Sequence, residues 1–360
     1  EILQGNNQPG GPGVAGNLFL IQTKKWEETN LLNSGRSWYS QPLFIGQSMT
    51  FSFDLPSVPS GPSKIKLGLM AQSLADNVFR VFAGGQNIGQ STILPIPNTT
   101  YGIKGREKSE EFEIPESTAS KMDFRVNYQS PNPNGTGYLD YAVLATPYLS
   151  DKIGSGLFYN LDGDNSFSFS TAKTTWKIKN TYEITEESDR IFLGKGEMVV
   201  AFEPNGVKAI TDFELANTSL RTDGSDPQLL IITHKSLLSQ AQRLSSHKNQ
   251  KGIQSSVVVL EDIYDSFGYG NRDVTAIRNL IAFHFHYSGG LKNVLFFGKG
   301  TYDYKSKQGG RPNLVPTYSS RNSLNPLTTY SSDDFFGFVD WGQGQWDESN
   351  AGDEQLQIGV

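Results

Sequence analysis

Apolar residues follow two different rhythms along this chain. Between Asn17 and about Val207 they come in short runs, several of which alternate with polar residues: Met49-Thr50-Phe51-Ser52-Phe53-Asp54-Leu55, Ile65-Lys66-Leu67-Gly68-Leu69-Met70 and Phe124-Arg125-Val126-Asn127-Tyr128. A period of two puts one face of a strand on a core and the other in water. Breakers such as Pro59-Ser60-Gly61-Pro62, Gly84-Gly85 and Asn132-Pro133-Asn134-Gly135 separate the runs. Many short strands with turn-rich spacing predict a β-sandwich domain, jelly-roll-like, over residues 18–215. Residues 1–17, rich in Gly, Pro and Asn, read as a linker.

Past Lys208 the rhythm changes. Leu229-Leu230-Ile231-Ile232-Thr233 is a continuous apolar run, as in a strand buried on both faces of a parallel sheet. Ser236 to Asn249 then sets Leu237, Leu238, Ala241 and Leu244 on one helical face. Val257-Val258-Val259-Leu260 reads as a second strand. A second helix is predicted to start near Asn271-Arg272-Asp273, whose side chains suit an N-cap, with Val274, Ile277, Leu280, Ile281 and His284 turned inward. Val294-Leu295-Phe296-Phe297 is the third strand. This order demands right-handed crossovers and a parallel sheet, so residues 216–360 are predicted to form an α/β domain. Ligands of such sheets sit outside the carboxyl ends of the strands. Here the third strand empties into Gly298-Lys299-Gly300-Thr301-Tyr302-Asp303.

Composition narrows the chemistry. A length of 360 residues fits two or three domains, and 12% aromatics with 37 Gly and 17 Pro fit short strands and many turns. The net charge of −6 is made of interspersed acids and bases, which leaves no basic stripe for nucleic acid or an anionic membrane. No apolar run reaches the roughly 18 residues of a membrane span. Cysteine is absent, so these residues hold neither a thiol nucleophile nor a thiolate metal site, and no cofactor is expected. Asp162-Gly163-Asp164-Asn165 gathers oxygens as calcium requires but lacks the later bidentate Glu of an EF-hand. It reads as a hairpin turn, with calcium at Asp162 and Asp164 as the alternative. The chain starts at Glu1 and not at Met, so a processed or excised piece is expected.

Several ordered motifs resemble the gingipain-type cysteine peptidases. They are Leu230-Ile231-Ile232-Thr233-His234, His247-Lys248-Asn249-Gln250-Lys251-Gly252-Ile253, Glu261-Asp262-Ile263-Tyr264-Asp265, Asp273-Val274-Thr275-Ala276-Ile277-Arg278, Phe297 through Lys305, and Ser331-Ser332-Asp333-Asp334-Phe335-Phe336-Gly337. Within that family the chain is most similar to the surface sortases of the bacterial type IX secretion system, which carry a β-rich region ahead of the peptidase domain. Ser34-Gly35-Arg36-Ser37-Trp38-Tyr39 and Tyr138-Leu139-Asp140-Tyr141 resemble landmarks of that region. The resemblance implies a caspase-like, gingipain-like α/β fold, here in part, and proteolysis by a cysteine–histidine pair. It also implies a place at the bacterial outer-membrane surface or outside the cell. The implied substrates are the C-terminal sorting domains of secreted cargo, with other type IX components as partners. In gingipains a Gly-Asp-His sequence follows the third strand and supplies the histidine; the aligned residues here are Gly298-Lys299-Gly300, so the histidine position is Gly300 and Lys299 replaces the acid. The sortase-like branch usually carries Gly-Asp-Gly there. The resemblance places the nucleophilic cysteine beyond Val360, and the chain by itself is expected to be inactive.

Read residue by residue, His234 closes the first strand at the functional edge and is a candidate for lining the cleft. His284 and His286 lie on a helix and read as packing residues, and His247 as a solvated helix end. The loop Lys299-Gly300-Thr301-Tyr302-Asp303 either presents N–H groups and an acid to a peptide backbone or simply turns out of the sheet. Asp333-Asp334 either orients a base or binds a cation, or is a solvated cap and turn pair. Two other functions compete with proteolysis. One is a non-catalytic, gingipain-like scaffold or binding component of the secretion machinery, a reading that Lys299 strengthens. The other is carbohydrate binding or adhesion by the β-region, which requires exposed Trp26, Trp38 or Trp176.

Overall fold

The computed structural model describes residues 3–4, 16–116, 118–170, 173–180, 183–187, 190–206, 208, 211–212, 220–222, 224–340 and 355–360. Most of the predicted linker and the 215/216 boundary lie outside the described residues. The chain divides into two compact units, one of Glu1–Thr29 and Tyr39–Thr211, the other of Asn30–Trp38 and Asp212–Val360.

Alternating strands make the first unit. Its nine-stranded sheet runs Leu3–Gln4, Glu183–Glu187, Thr174–Asn180, Met198–Phe202, Gly156–Tyr159, Asn17–Lys25, Thr136–Leu149, Ser63–Gln72 and Arg106–Ile114, antiparallel apart from the first pair. A four-stranded antiparallel sheet of Ser48–Asp54, Lys121–Gln129, Asn77–Ala83 and Gln86–Ile93 shares a core with one end of it. Met122, Phe124, Val126 and Tyr128 point into that core while Lys121, Asp123 and Arg125 face water, as the period of two requires. Phe79, Phe124, Leu67 and Leu139 are among its buried members, each contributing about 1.5–3 kcal/mol of transfer free energy. The single sandwich read from the sequence in fact holds two cores. The second gathers Leu18, Tyr148, Phe158, Phe167, Ile191, Leu193 and Val199, with the ladder Asn165–Ser168 against Arg190–Leu193. The 14-residue strand Thr136–Leu149 feeds both cores, through Leu139 and Leu144 to one and Tyr148 to the other.

Among the described residues, Trp26, Trp38 and Trp176 do not form a platform for sugars. Trp26 is half-buried edge-on to Phe51 at 5.2 Å, and Trp176 is half-buried edge-on to Phe202 at 4.8 Å. Trp38 is buried and belongs to the second unit.

In the second unit Leu229–Thr233 is the central strand of a parallel sheet, with Ser255–Val259 on one side and Asn293–Phe297 on the other. Leu230, Ile231 and Ile232 are fully buried, because helices cover both faces. Helix α1, Leu238–Gln250, buries Ala241 and Ser245, whereas the expected inward residues Leu237, Leu238 and Leu244 are half-buried. Helix α2, Leu260–Phe267, follows the second strand without a loop. Sequence reasoning missed it by assigning Leu260 to the strand. Its signal is the stripe Leu260, Ile263, Tyr264 and Phe267, all packed in the core. Helix α3, Val274–Phe283, starts where predicted: the Asp273 carboxylate accepts the Thr275 N–H at 2.8 Å. Its buried face holds Ile277, Leu280 and Ile281, and His284 is buried in the π-helical turn that follows. Among the described residues no helix is long and apolar enough to cross a membrane.

Candidate functional site

The strand order second–first–third means that the chain leaves the first strand to one side and later returns to the other. At such a switch point the connections diverge and leave a crevice beyond the carboxyl ends of the first and third strands. The Thr233 hydroxyl donates to the Phe297 carbonyl at 2.8 Å across this point. A cleft of about 530 Å³ lies there, walled by His234, Glu261 and Tyr264, by Asp273 and Val274 at the start of α3, by Thr301, Tyr304 and Lys305, by 313–319 in part, and by Arg36.

His234 stands on this wall. Its Nδ1 accepts the Ser236 N–H at 3.2 Å and lies 2.8 Å from the Ser236 hydroxyl. A backbone N–H can only donate, so the neutral ring carries its proton on Nε2, which faces Glu261 Oε1 at 3.8 Å. Lys235 Nζ lies 3.9 Å from the same oxygen. The other Glu261 oxygen, Oε2, is buried with no hydrogen-bond partner among the described residues. Burial pushes the Tyr264 hydroxyl up to about 12, with Glu261 and Asp273 adding to the shift and Arg272 opposing it, so it stays a proton donor at neutral pH.

The loop after the third strand folds back on itself. Leu314 N and Val315 N donate to the Lys299 carbonyl at 3.0 and 3.4 Å, and Thr301 N donates to Asn313 Oδ1 at 3.1 Å. This return leaves no space at Gly300: a Cβ there would stand 2.8 Å from the Val315 carbonyl oxygen and 3.3 Å from Thr317 Cγ2. The Lys299 side chain is exposed. Asp303 is 3% exposed and its two oxygens accept Lys307 N and Gln308 N, each at 2.7 Å. Its carboxylate therefore ties up its own loop and offers nothing to a peptide. Asp333 takes the Thr317 hydroxyl at 2.9 Å, and Asp334 N is held by the Ser332 hydroxyl at 3.0 Å, so this pair braces the ladder of Tyr318–Ser319 with Ser331–Ser332.

Of the candidates, His234 and Thr301 line the main cleft. Gly300, Thr301, Tyr302 and Asp333 line an adjoining concavity of about 430 Å³, and Lys299, Asp303 and Asp334 line neither. Arg36, Glu261, Tyr264 and Arg272 are cleft residues that sequence reasoning passed over. Glu261 and Tyr264 were within reach, since both stand in the family-like Glu261-Asp262-Ile263-Tyr264-Asp265 motif. In the first unit Asp164 accepts Lys195 N at 2.9 Å and Asp162 N donates to Asn160 Oδ1 at 3.2 Å. Among the described residues no three His, Cys, Asp or Glu converge as a metal site.

A sequence model of Peptidase family C25 matches residues 222–360. The solved structure of dimeric latent PorU from Porphyromonas gingivalis matches with a TM-score of 0.80 at 17% identity, covering 99% of this chain and 37% of that one. The chain thus spans 37% of the length of the PorU chain it matches. A δ-endotoxin, Cry8Ea1 of Bacillus thuringiensis, matches at a TM-score of 0.24 and 12% identity, over 30% of this chain and 19% of that one. The CBM36-1 domain of a xylanase from the hindgut metagenome of Trinervitermes trinervoides matches at 0.25 and 10%, over 35% and 96%. Both lie too low to carry an argument. No curated protein sequence matches. The gingipain-type resemblance drawn from the motifs is borne out: the chain has the fold of PorU, and its residues 222–360 match the model of Peptidase family C25.

Proposed function

We propose that the chain carries the β-region and the leading part of the peptidase domain of a sortase-type cysteine endopeptidase. Its substrates are the C-terminal sorting domains of type IX cargo, met at the bacterial outer-membrane surface or outside the cell. The observation that supports this is the cleft at the carboxyl edge of the parallel sheet, inside the segment that matches Peptidase family C25. An extended peptide fits such a crevice. In this reading these residues hold the substrate, and the thiol nucleophile is not among them, because the sequence contains no cysteine. His234 presents Nε2–H and no lone pair to the cleft, so it donates to a substrate and does not serve as a base.

The test is direct. Mixed with cargo fused to its C-terminal sorting domain, the 360-residue chain should capture the cargo and leave it intact. Cleavage by this chain refutes the division of labour, and failure to capture refutes the substrate assignment. A second reading, a non-catalytic binding component of the secretion machinery, draws on Gly300: where the resemblance puts the histidine, there is no room for a side chain. A thiol-directed activity probe applied to the producing cells separates the two. The protein itself is labelled if it is the peptidase and stays unlabelled if it is a scaffold.

A further inference from the structure

The cleft owes one of its walls to residues far upstream. Asn30–Trp38 belongs to the second unit, and its conformation is fixed from within and from without. The Asn30 side chain, 7% exposed, donates to the carbonyls of Ser34, Gly35 and Ser37 and accepts the N–H groups of Leu32 and Ser34. Gly35 adopts φ +71°, and a Cβ there would stand 2.3 Å from the Asn322 carbonyl oxygen, so only glycine lets the loop lie this close. Arg36 N donates to Ser320 O at 2.9 Å, and Ser37 bonds Ser323 and Arg321 at 2.8 and 2.9 Å. Trp38 stacks on Tyr302 at 5.9 Å. With its backbone pinned on both sides, Arg36 lays its guanidinium 5.6 Å from the Tyr318 ring centroid, and Phe335 backs that ring at 4.6 Å.

Two more cations, Arg272 and Lys305, line the same cleft, and the first residues of α2 and α3 open on it with the positive ends of their helices. Two acids among the described residues line the cleft: Glu261, whose Oε1 lies 3.8 Å from His234 Nε2 and 3.9 Å from Lys235 Nζ, and Asp273, which caps α3. Among the described residues neither Arg36 nor Arg272 has a carboxylate within ion-pair distance. We propose that this cleft recognises carboxylate groups of an acidic peptide, with Arg36 as the specificity-determining residue. A planar guanidinium preset by its aromatic support donates to a carboxylate in a bidentate fork with little further ordering. Leu314 and Pro316 offer apolar wall for the stems of acidic side chains. The inference rests on the reading of this cleft as a peptide site and deepens it.

The test uses the 360-residue chain and unlabelled, N-acetylated octapeptides read by isothermal titration calorimetry at low salt. One is Ala-Gly-Glu-Ser-Glu-Gly-Ser-Ala with an amidated C-terminus. Its Gln-for-Glu counterpart is made with a free and with an amidated C-terminus, so side-chain and terminal carboxylates are told apart. At least one carboxylate-bearing peptide should bind about tenfold more tightly than the neutral amide, the scale of a charge-assisted hydrogen bond at a partly solvated site. Arg36→Gln should remove most of that preference and Arg36→Lys should restore part of it, with melting curves unchanged because the side chain is exposed. If the neutral amide binds as well as the acidic peptides, carboxylate recognition is overturned while the peptide cleft stands. If Arg36→Gln keeps the preference, the role of Arg36 is overturned. If no peptide binds, the peptide-cleft reading fails and this proposal with it.

Discussion

Adding a single methyl group at Gly300 tests whether the loop after the third strand is as closed as its geometry implies. A Cβ at this position meets the Val315 carbonyl oxygen at 2.8 Å and Thr317 N at 3.4 Å, both backbone atoms that cannot swing aside. Overpacking of this kind costs about 1–3 kcal/mol. Recoil of 314–317 would also stretch the bond from Leu314 N to Lys299 O, now 3.0 Å, worth about 1 kcal/mol. Against this, alanine restricts the unfolded chain and returns about 0.4–1 kcal/mol. The net loss for Gly300→Ala is about 1–3 kcal/mol. Gly300→His, the residue that gingipains carry at the position the resemblance aligns here, has the same Cβ and should lose at least as much. Urea denaturation followed by hydrogen exchange at the Leu314 and Val315 amides reads the effect where it arises. Lys299→Ala, at an exposed side chain, serves as control and should stay within about 0.5 kcal/mol. If Gly300→Ala has the stability of the parent and leaves Leu314 equally protected, the reasoning from the close approach is wrong.

Two further outcomes follow from buried polar groups. Asp303→Ala deprives two loop N–H groups of a carboxylate and should cost about 2 kcal/mol, with faster hydrogen exchange at Lys307 and Gln308; unchanged exchange there would refute the bracing role. Tyr264 is raised from 10.0 to about 12, so its contribution is complete below pH 10 and is lost as pH rises through about 12. The stability of the parent relative to Tyr264→Phe should therefore fall between those values, and the variant should lose the most alkaline step of a 295 nm phenol titration; parallel pH profiles would contradict the shift.

Much of the architecture was legible because period and burial are linked locally. The alternation of Lys121–Gln129 named its core face, and the unbroken apolar run at Leu229–Thr233 announced a strand covered on both sides. The Asp273 cap located the start of α3. Arg106–Ile114 escaped notice because it forms the edge of the nine-stranded sheet, where Lys and Glu are tolerated and discourage further pairing. Helix α2 escaped because no turn separates it from the strand before it.

The sequence by itself determined the two classes of structure, the direction of the parallel strands, the family motifs and the lack of any thiol. Only the tertiary structure decided which polar groups reach the cleft. Asp303 and Asp333, left open in sequence between a site role and a turn, spend their oxygens on nearby partners, while Arg36 enters from a segment remote along the chain. Periodicity reports how a residue relates to its neighbours within a few positions. A cleft assembled from strand ends, helix starts and a distant loop depends on long-range packing, which no local pattern encodes.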